Sequence, residues 1–234
     1  MKPKHIKKKI TTMLITLIKA VILFFLGFLP KQVRWDFHQH VYSKWTGENL
    51  PQNYLDYIIK MGIEFAEFVG KPGRLLDIGC GNGMIGNMTY QKSCYTPIKM
   101  RDENDYVVGI DPLALNAPIP WARKVIQTTC EEITRLFSPG DFDKATIITT
   151  LDHLYDPEKC IKNCYILGIP EIFIWTTTFK KQHPGGDYNH LHRYTFHETL
   201  KLFSESGYNN TETKRVYHDQ GGDGWFMKFR RKNQ

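Results

Sequence analysis

The chain opens on one kind of hydrophobic period and then changes to another. Ile10 to Leu29 reads ITTMLITLIKAVILFFLGFL, twenty residues with a single charge at Lys19, and as a helix that run is long enough to cross a bilayer. Tyr54, Ile58, Ile59, Ile63, Phe65, Ala66 and Val69 then recur at helical spacing until Gly70 and Pro72 stop the pattern. Short β-branched runs follow at Arg74 to Ile78, Tyr106 to Asp111, Lys124 to Thr128, Lys144 to Thr149 and Glu171 to Thr177, with helical or polar stretches between them. Such alternation predicts an α/β fold, a doubly wound, mostly parallel sheet covered on both faces. The end departs from it. Thr211 to His218 and Trp225 to Phe229 flank a glycine-rich turn and predict an antiparallel hairpin.

Charge changes the picture of the first segment. Residues 1–34 carry eight basic side chains and no acid, out of 31 basic and 24 acidic in the whole chain of 234. The remaining body, 35–234, is therefore close to neutral, which argues against a nucleic-acid partner, since that would need its basic excess on a folded face. We read 1–34 as a basic, apolar helix that associates with a membrane surface, and 35–234 as the catalytic domain. No small-x-small cleavage site follows the apolar run, so a secretory signal is disfavoured. A span would bury Lys19 at a cost of about 2.5 to 3.5 kcal/mol, and an interfacial helix with Lys19 snorkelling avoids it; the two arrangements remain open. A helix packed on its own domain is the bland alternative. The five cysteines form no C-x-x-C pair, which points to a reduced compartment and no metal site, and the expected location is cytoplasmic, at the inner face of a membrane. Residues 34–51 are dense in aromatics and histidine, either a flap over a pocket or a seam joining tail to body.

Chemistry enters at residues 75–83, LLDIGCGNG. Glycines at alternate positions after a buried strand let backbone N–H groups approach a ligand closely while the next helix presents its positive end. Gly81-Asn-Gly83-Met-Ile-Gly86 also fits the dinucleotide fingerprint G-x-G-x-x-G, which keeps a NAD(P)-dependent oxidoreductase as the alternative. That reading leaves Asp77 and Gly79 without a role.

Asp77-Ile-Gly79-Cys80-Gly81-Asn-Gly83 resembles the first motif of the class I S-adenosylmethionine-dependent methyltransferases, with a domain similar to the type 11 methyltransferases. VVGIDPL, 107–113, is similar to the second strand of that family, whose terminal acid holds the ribose hydroxyls; here that is Asp111, followed by Pro112. VIQTTCEEI, 125–133, resembles the adenine-side turn and implies contacts from Cys130 and Glu131. FDKATIITTLDHLYDP, 142–157, resembles the fourth strand and the turn at the cofactor's methyl end, and HLHRYTFHETLKLFSESGY, 190–208, a substrate-side loop running into the last helix. The resemblance covers about residues 55–230 and implies a Rossmann-like sheet, S-adenosylmethionine as cofactor, and cofactor contacts from Asp77, Gly79, Cys80, Gly81, Gly83, Asp111, Pro112, Cys130 and Glu131.

A sulfonium methyl group is already activated, so the protein's task is to place a nucleophile in line and, for an oxygen nucleophile, to remove a proton. Histidine suits that step near neutral pH. His153 is the first candidate base, oriented by Asp152, with His192 and His190 next. Packing or helix capping is the competing role for Asp152 and His153. His183, His190 and His192 lack a carboxylate or cysteine at metal spacing, so no metal is expected. The expected function is methylation, by preference at oxygen, of a small-molecule, lipid or lipid-linked glycan acceptor near a membrane; a non-catalytic cofactor-binding protein is a further alternative.

Overall fold

The computed structural model describes residues 30–36, 52–71, 73–80, 106–113, 124–179, 190–216 and 223–232. The apolar run 10–29, Gly81 and Gly83 lie outside them. Among the described residues no helix is long and apolar enough to cross a membrane.

Seven strands form one sheet: β1 (Arg74–Ile78), β2 (Tyr106–Asp111), β3 (Lys124–Gln127), β4 (Lys144–Ile148), β5 (Glu171–Thr178), β6 (Tyr208–Val216) and β7 (Asp223–Arg231). Their order is β3-β2-β1-β4-β5-β7-β6. The first five pair in parallel. β7 runs antiparallel between β5 and β6. The helices are α1 (Gln52–Val69), α2 (Pro157–Ile166) and α3 (Phe196–Glu205), with a 3₁₀ helix η1 at Cys130–Arg135 and a short helical segment at 31–36.

Both faces of the sheet are buried because alternate residues of each strand serve different cores. On β5, Ile172 and Ile174 join the core that holds Cys160, Ile161 and Cys164 of α2 and Phe203 of α3. Phe173 and Trp175 turn the other way, onto Phe65 of α1. Trp175 is thus a core residue, its ring 6.3 Å from Phe65 and 5.8 Å from Phe226. Cys160 and Cys164 are likewise fully buried packing residues.

The apolar face of α1 differs from the sequence pattern at one point. Ile63 is 36% exposed while Met61 is buried. Met61, Phe65 and Val69 lie four apart and make the inward stripe, and Ile63, two positions or about 200° from both Met61 and Phe65, falls on the opposite side of the helix. The helix ends where Lys144 of β4 donates from Nζ to the carbonyls of Val69 and Lys71, at 2.9 and 2.5 Å. A lysine thus caps the negative end of the helix from the adjoining sheet.

The hairpin is longer than the hydrophobic pattern implies. Only Tyr208 and Val216 of β6 are buried, so the edge strand carries little apolar signal, as suits a strand that must not recruit another chain. Tyr208 starts it because its hydroxyl donates to Ile169 O at 2.9 Å. The turn into β6 uses Gly207 at φ +95°, where an added Cβ would stand 2.6 Å from the Tyr165 ring. Gly207→Ala should therefore cost about 1 to 3 kcal/mol through backbone strain and the clash. A lowered urea midpoint with an unchanged m-value is the check.

Candidate active site at the sheet switch point

β1 leads to β2 on one side and pairs with β4 on the other, so the chain reverses its direction of winding between β1 and β4. In a doubly wound sheet the crevice for a ligand opens at the carboxyl ends of those two strands. Asp77 at the end of β1 and the turn after β4 that carries Asp152 both lie there, with Asp111 at the end of the neighbouring β2.

Asp77 is buried at the end of β1, and Thr146, its register partner on β4, donates to its Oδ1 at 2.7 Å. Burial pushes the Asp77 carboxyl up to about 6; the Thr146 hydrogen bond opposes the rise and the Asp111 charge adds to it. Gly79 follows at φ +72°, where a Cβ would lie 2.1 Å from Thr150 Cγ2. This glycine is demanded by a protein side chain, whatever else approaches the loop. The N–H groups of Gly79 and Cys80 both donate to Ile110 O of β2, and the Cys80 thiol sits over Gly109, where a Cβ would come within 2.8 Å of Sγ. Burial and the two neighbouring carboxylates hold that thiol well above its usual range.

Asp111 ends β2, with Leu113 N–H donating to its Oδ1 at 2.7 Å. That bond fixes the carboxylate's orientation across the turn that contains Pro112, whose carbonyl accepts from Gln127 Nε2. Cys130 is buried, and its carbonyl and that of Glu131 accept from Asn163 Nδ2 at 3.1 and 3.0 Å. Glu131 Oε1 in turn accepts from Asp156 N–H at 2.8 Å. Glu131 therefore ties η1 to the start of α2, a structural task that its place in the sequence did not announce. Asp156 caps α2 through Lys159 N–H, and Pro157 takes the first helical turn.

On the other side of the switch point the backbone is strained. Thr149 has φ +50°, the one non-glycine among the described residues with positive φ, an unfavourable region for a β-branched residue. Its N–H donates to Trp175 O at 2.7 Å, so pairing to β5 sustains the strain. The turn that follows, closed by His153 N–H to Thr150 O at 2.9 Å, delivers Asp152 and His153.

Asp152 is buried between two imidazoles. Its Oδ1 lies 3.7 Å from His153 Nε2 and its Oδ2 3.6 Å from His190 Nε2. The two rings are stacked, 5.3 Å apart at 17°. His192, expected beside Asp152, holds it through the main chain instead: its N–H donates to Asp152 O at 2.9 Å. Its Nε2 lies 3.0 Å from Leu154 O, an acceptor, so this nitrogen carries the proton. Burial, with Lys31 nearby, lowers the His192 pKa and keeps the ring neutral. The ring stacks on Tyr194 at 5.6 Å.

The segment 31–36 lies against the same loop. Trp35 packs edge-on to Tyr155 at 5.8 Å, and Lys31 Nζ stands 4.6 Å from the centre of that ring. Trp35 belongs to the stretch read in the sequence as a flap or a seam between tail and body, but nothing there marked Tyr155 as its partner.

No family model matches the chain. It is similar to the ubiquinone biosynthesis O-methyltransferase of Chromobacterium violaceum, with 25% identity over 143 residues covering 59% of each chain. It also resembles the enzyme of that name from Pseudomonas aeruginosa, at 29% over 116 residues, 48% of this chain and 47% of that one. The matches span between about half and two thirds of the length of these relatives. Among solved structures, an S-adenosylmethionine-dependent methyltransferase of Leishmania major superposes with a TM-score of 0.61 at 18% identity, over 86% of this chain and 82% of that one. The 1,6-didemethyltoxoflavin-N1-methyltransferase of Burkholderia thailandensis, with 1,6-didemethyltoxoflavin and S-adenosylhomocysteine bound, gives 0.54 at 15%, over 75% and 79%. The fold is that of the class I methyltransferases. The [4+2]-cyclase SpnF matches it as well, with a TM-score of 0.55 at 13% identity, over 75% of this chain and 82% of that one, so the class I fold alone does not dictate the reaction.

Within this class I fold, Asp77 makes a prediction that needs no ligand. A carboxyl whose folded pKa, about 6, lies above its ordinary 3.8 holds its proton more tightly when folded. Its contribution to stability is then greatest below the unfolded value and is lost as the pH rises through the folded one. Asp77→Asn keeps an acceptor for Thr146 and removes the loss. The variant should match the parent near pH 4 and exceed it at pH 7 by roughly 1 to 3 kcal/mol, measured by denaturant unfolding at both values.

Proposed function

We propose that the chain is an S-adenosylmethionine-dependent methyltransferase that methylates an oxygen of a small or lipid-borne acceptor at a membrane surface. The observation that carries this reading is the placement of two carboxylates, Asp77 and Asp111, on one side of the β1/β4 switch point and the Asp152 cluster on the other. One side suits a ligand rich in hydroxyl and ammonium donors; the other suits a group that loses a proton. The ubiquinone biosynthesis relatives are O-methyltransferases by name, which favours oxygen as the acceptor atom.

The residues fit such a cofactor. Asp111, held by Leu113 N–H, would take paired ribose hydroxyls, and the backbone around Gly79 and Cys80, stripped of bulk at the switch point, would receive the amino-acid end, with Gly81 and Gly83 continuing it. Pro112 would border the ribose, and Cys130 and Glu131 the adenine. When bound, the cofactor supplies an electrophilic methyl group. The chain's own part is to orient the acceptor and lower the cost of removing its proton. That falls to His153, the histidine adjacent to Asp152, with Asp152 stabilising the positive charge that His153 gains. His192 keeps the loop in place through Asp152 O and Leu154 O.

The membrane part of the reading rests on residues 1–34 and on the Lys31 and Trp35 contacts with Tyr155, three positions beyond Asp152. The basic apolar run would meet anionic lipid at the cytoplasmic face and bring the mouth of the site with it.

Two measurements test the proposal. S-adenosylhomocysteine should raise the melting temperature of the full chain and NADH should leave it unchanged; Asp111→Ala should abolish the shift. His153→Ala should retain the shift while methyl transfer from labelled S-adenosylmethionine to membrane extracts falls by about 10²- to 10⁴-fold. A stabilisation by NADH alone would reject the methyltransferase reading.

A further inference from the structure

Asp152, His153 and His190 form a donor set that proton transfer alone does not explain. One carboxylate oxygen and one imidazole nitrogen from each histidine lie within 4.8 Å of one another. The Asp152–imidazole separations, 3.6 and 3.7 Å, are longer than hydrogen bonds. They are close to what a shared cation requires: ligands at about 2.1 Å from a tetrahedral or octahedral centre stand about 3 to 3.5 Å apart. The donor atoms, which spread over up to 4.8 Å, must draw in by about an ångström or more for all three to reach one ion.

The three side chains come from two places in the sequence and are held independently. The turn after strained Thr149 fixes Asp152 and His153. His190 reaches the same point because His192 N–H pairs with Asp152 O, and Phe179 packs edge-on against the His190 ring at 5.5 Å. Near-parallel rings direct both Nε2 atoms at a single carboxylate.

We propose that Asp152, His153 and His190 bind a divalent transition-metal ion. Two imidazoles and one carboxylate suit the zinc, cobalt, iron(II) and manganese class, whereas magnesium and calcium favour all-oxygen sets. Three protein ligands leave positions for water or for an acceptor oxygen. If the methyltransferase reading holds, on which this second step rests, the ion takes the acceptor hydroxyl oxygen. The O–H bond then breaks, its proton passes to water, and the oxygen stays on the metal as the anion. His153 then acts through the metal rather than by taking the proton itself.

The test uses the full chain, stripped with a chelator and titrated with Co²⁺. One equivalent should bind with visible ligand-field absorption, and Zn²⁺ should displace it. Asp152→Asn, His190→Ala and His190→Gln should each weaken Co²⁺ binding by at least about tenfold, while His197→Ala, an exposed histidine on α3, should not. Should the variants fail to fold, paramagnetically shifted resonances from two histidine rings in the parent protein provide the same evidence. Absence of one-equivalent uptake, or uptake unchanged in the Asp152 and His190 variants, overturns the site. Uptake that depends on those residues supports it even if no methyl transfer is found, which would sink the methyltransferase reading alone. Methyl transfer undiminished after complete metal removal overturns the ion's role in the reaction and leaves that reading standing.

Discussion

The close approach of β1 and β4 at their carboxyl ends is the constraint on which the rest of the site depends. Thr146 reaches across the pair to Asp77, Thr150 donates to Gly79 O at 3.2 Å, and Gly79 has no Cβ because Thr150 Cγ2 occupies that space. Two side chains from β4 and its following turn thus fix the first motif, and the first motif limits where the turn can go. The loop on either side of the switch point is not an independent ligand-binding device grafted onto a strand. Its halves are mutually packed, and a change in one moves the other.

That coupling carries an energetic cost, which the fold bears locally. A buried Asp77 with Asp111 nearby disfavours its own charge, and Thr149 holds a backbone conformation that costs of order 1 to 3 kcal/mol. Neither serves packing, since the core would be better off with an apolar residue at 77 and a glycine at 149. Cost concentrated at one end of the sheet, with an unstrained core beneath, is the pattern expected where geometry is retained for chemistry. Cys130, Cys160 and Cys164 offer the contrast. They are buried, and burial keeps Cys130 and Cys160 in the protonated form, so they do the work of small apolar groups.

The sheet was legible because parallel strands buried on both faces read as short, nearly continuous apolar runs, as Ile172 to Trp175 does and, apart from Asp77, Leu75 to Ile78. β6 was legible only in part: the predicted strand began at Thr211 and missed Tyr208 to Asn210, because an edge strand with a solvated face carries its pairing in the backbone. The order of acids and histidines placed Asp77, Asp111, Asp152 and His153 at the same end of the sheet once the strand order was known. It could not choose between His190 and His192. These share residue type and lie two apart, and the choice is made by a single main-chain bond, His192 N to Asp152 O. Glu131 was hidden for a similar reason: its partner is the Asp156 N–H, a group that every residue but proline possesses. Met61 and Ile63 differ in burial because residues two apart lie on opposite sides of a helix, and the sheet beneath selects the side that carries Met61, Phe65 and Val69.

The contacts of Trp35 and Lys31 with Tyr155 bear on how the charged, apolar start of the chain relates to the site. Residues 31–36 follow the apolar run directly in the sequence, so in the function proposed above a run held at a membrane would bring the Asp152 turn toward the lipid. On that proposal a basic excess confined to residues 1–34 would have a physical use that a uniformly basic body would lack: anionic lipid would attract the tail, while the near-neutral domain would offer no competing face, so the tail alone would set which side of the molecule meets the membrane.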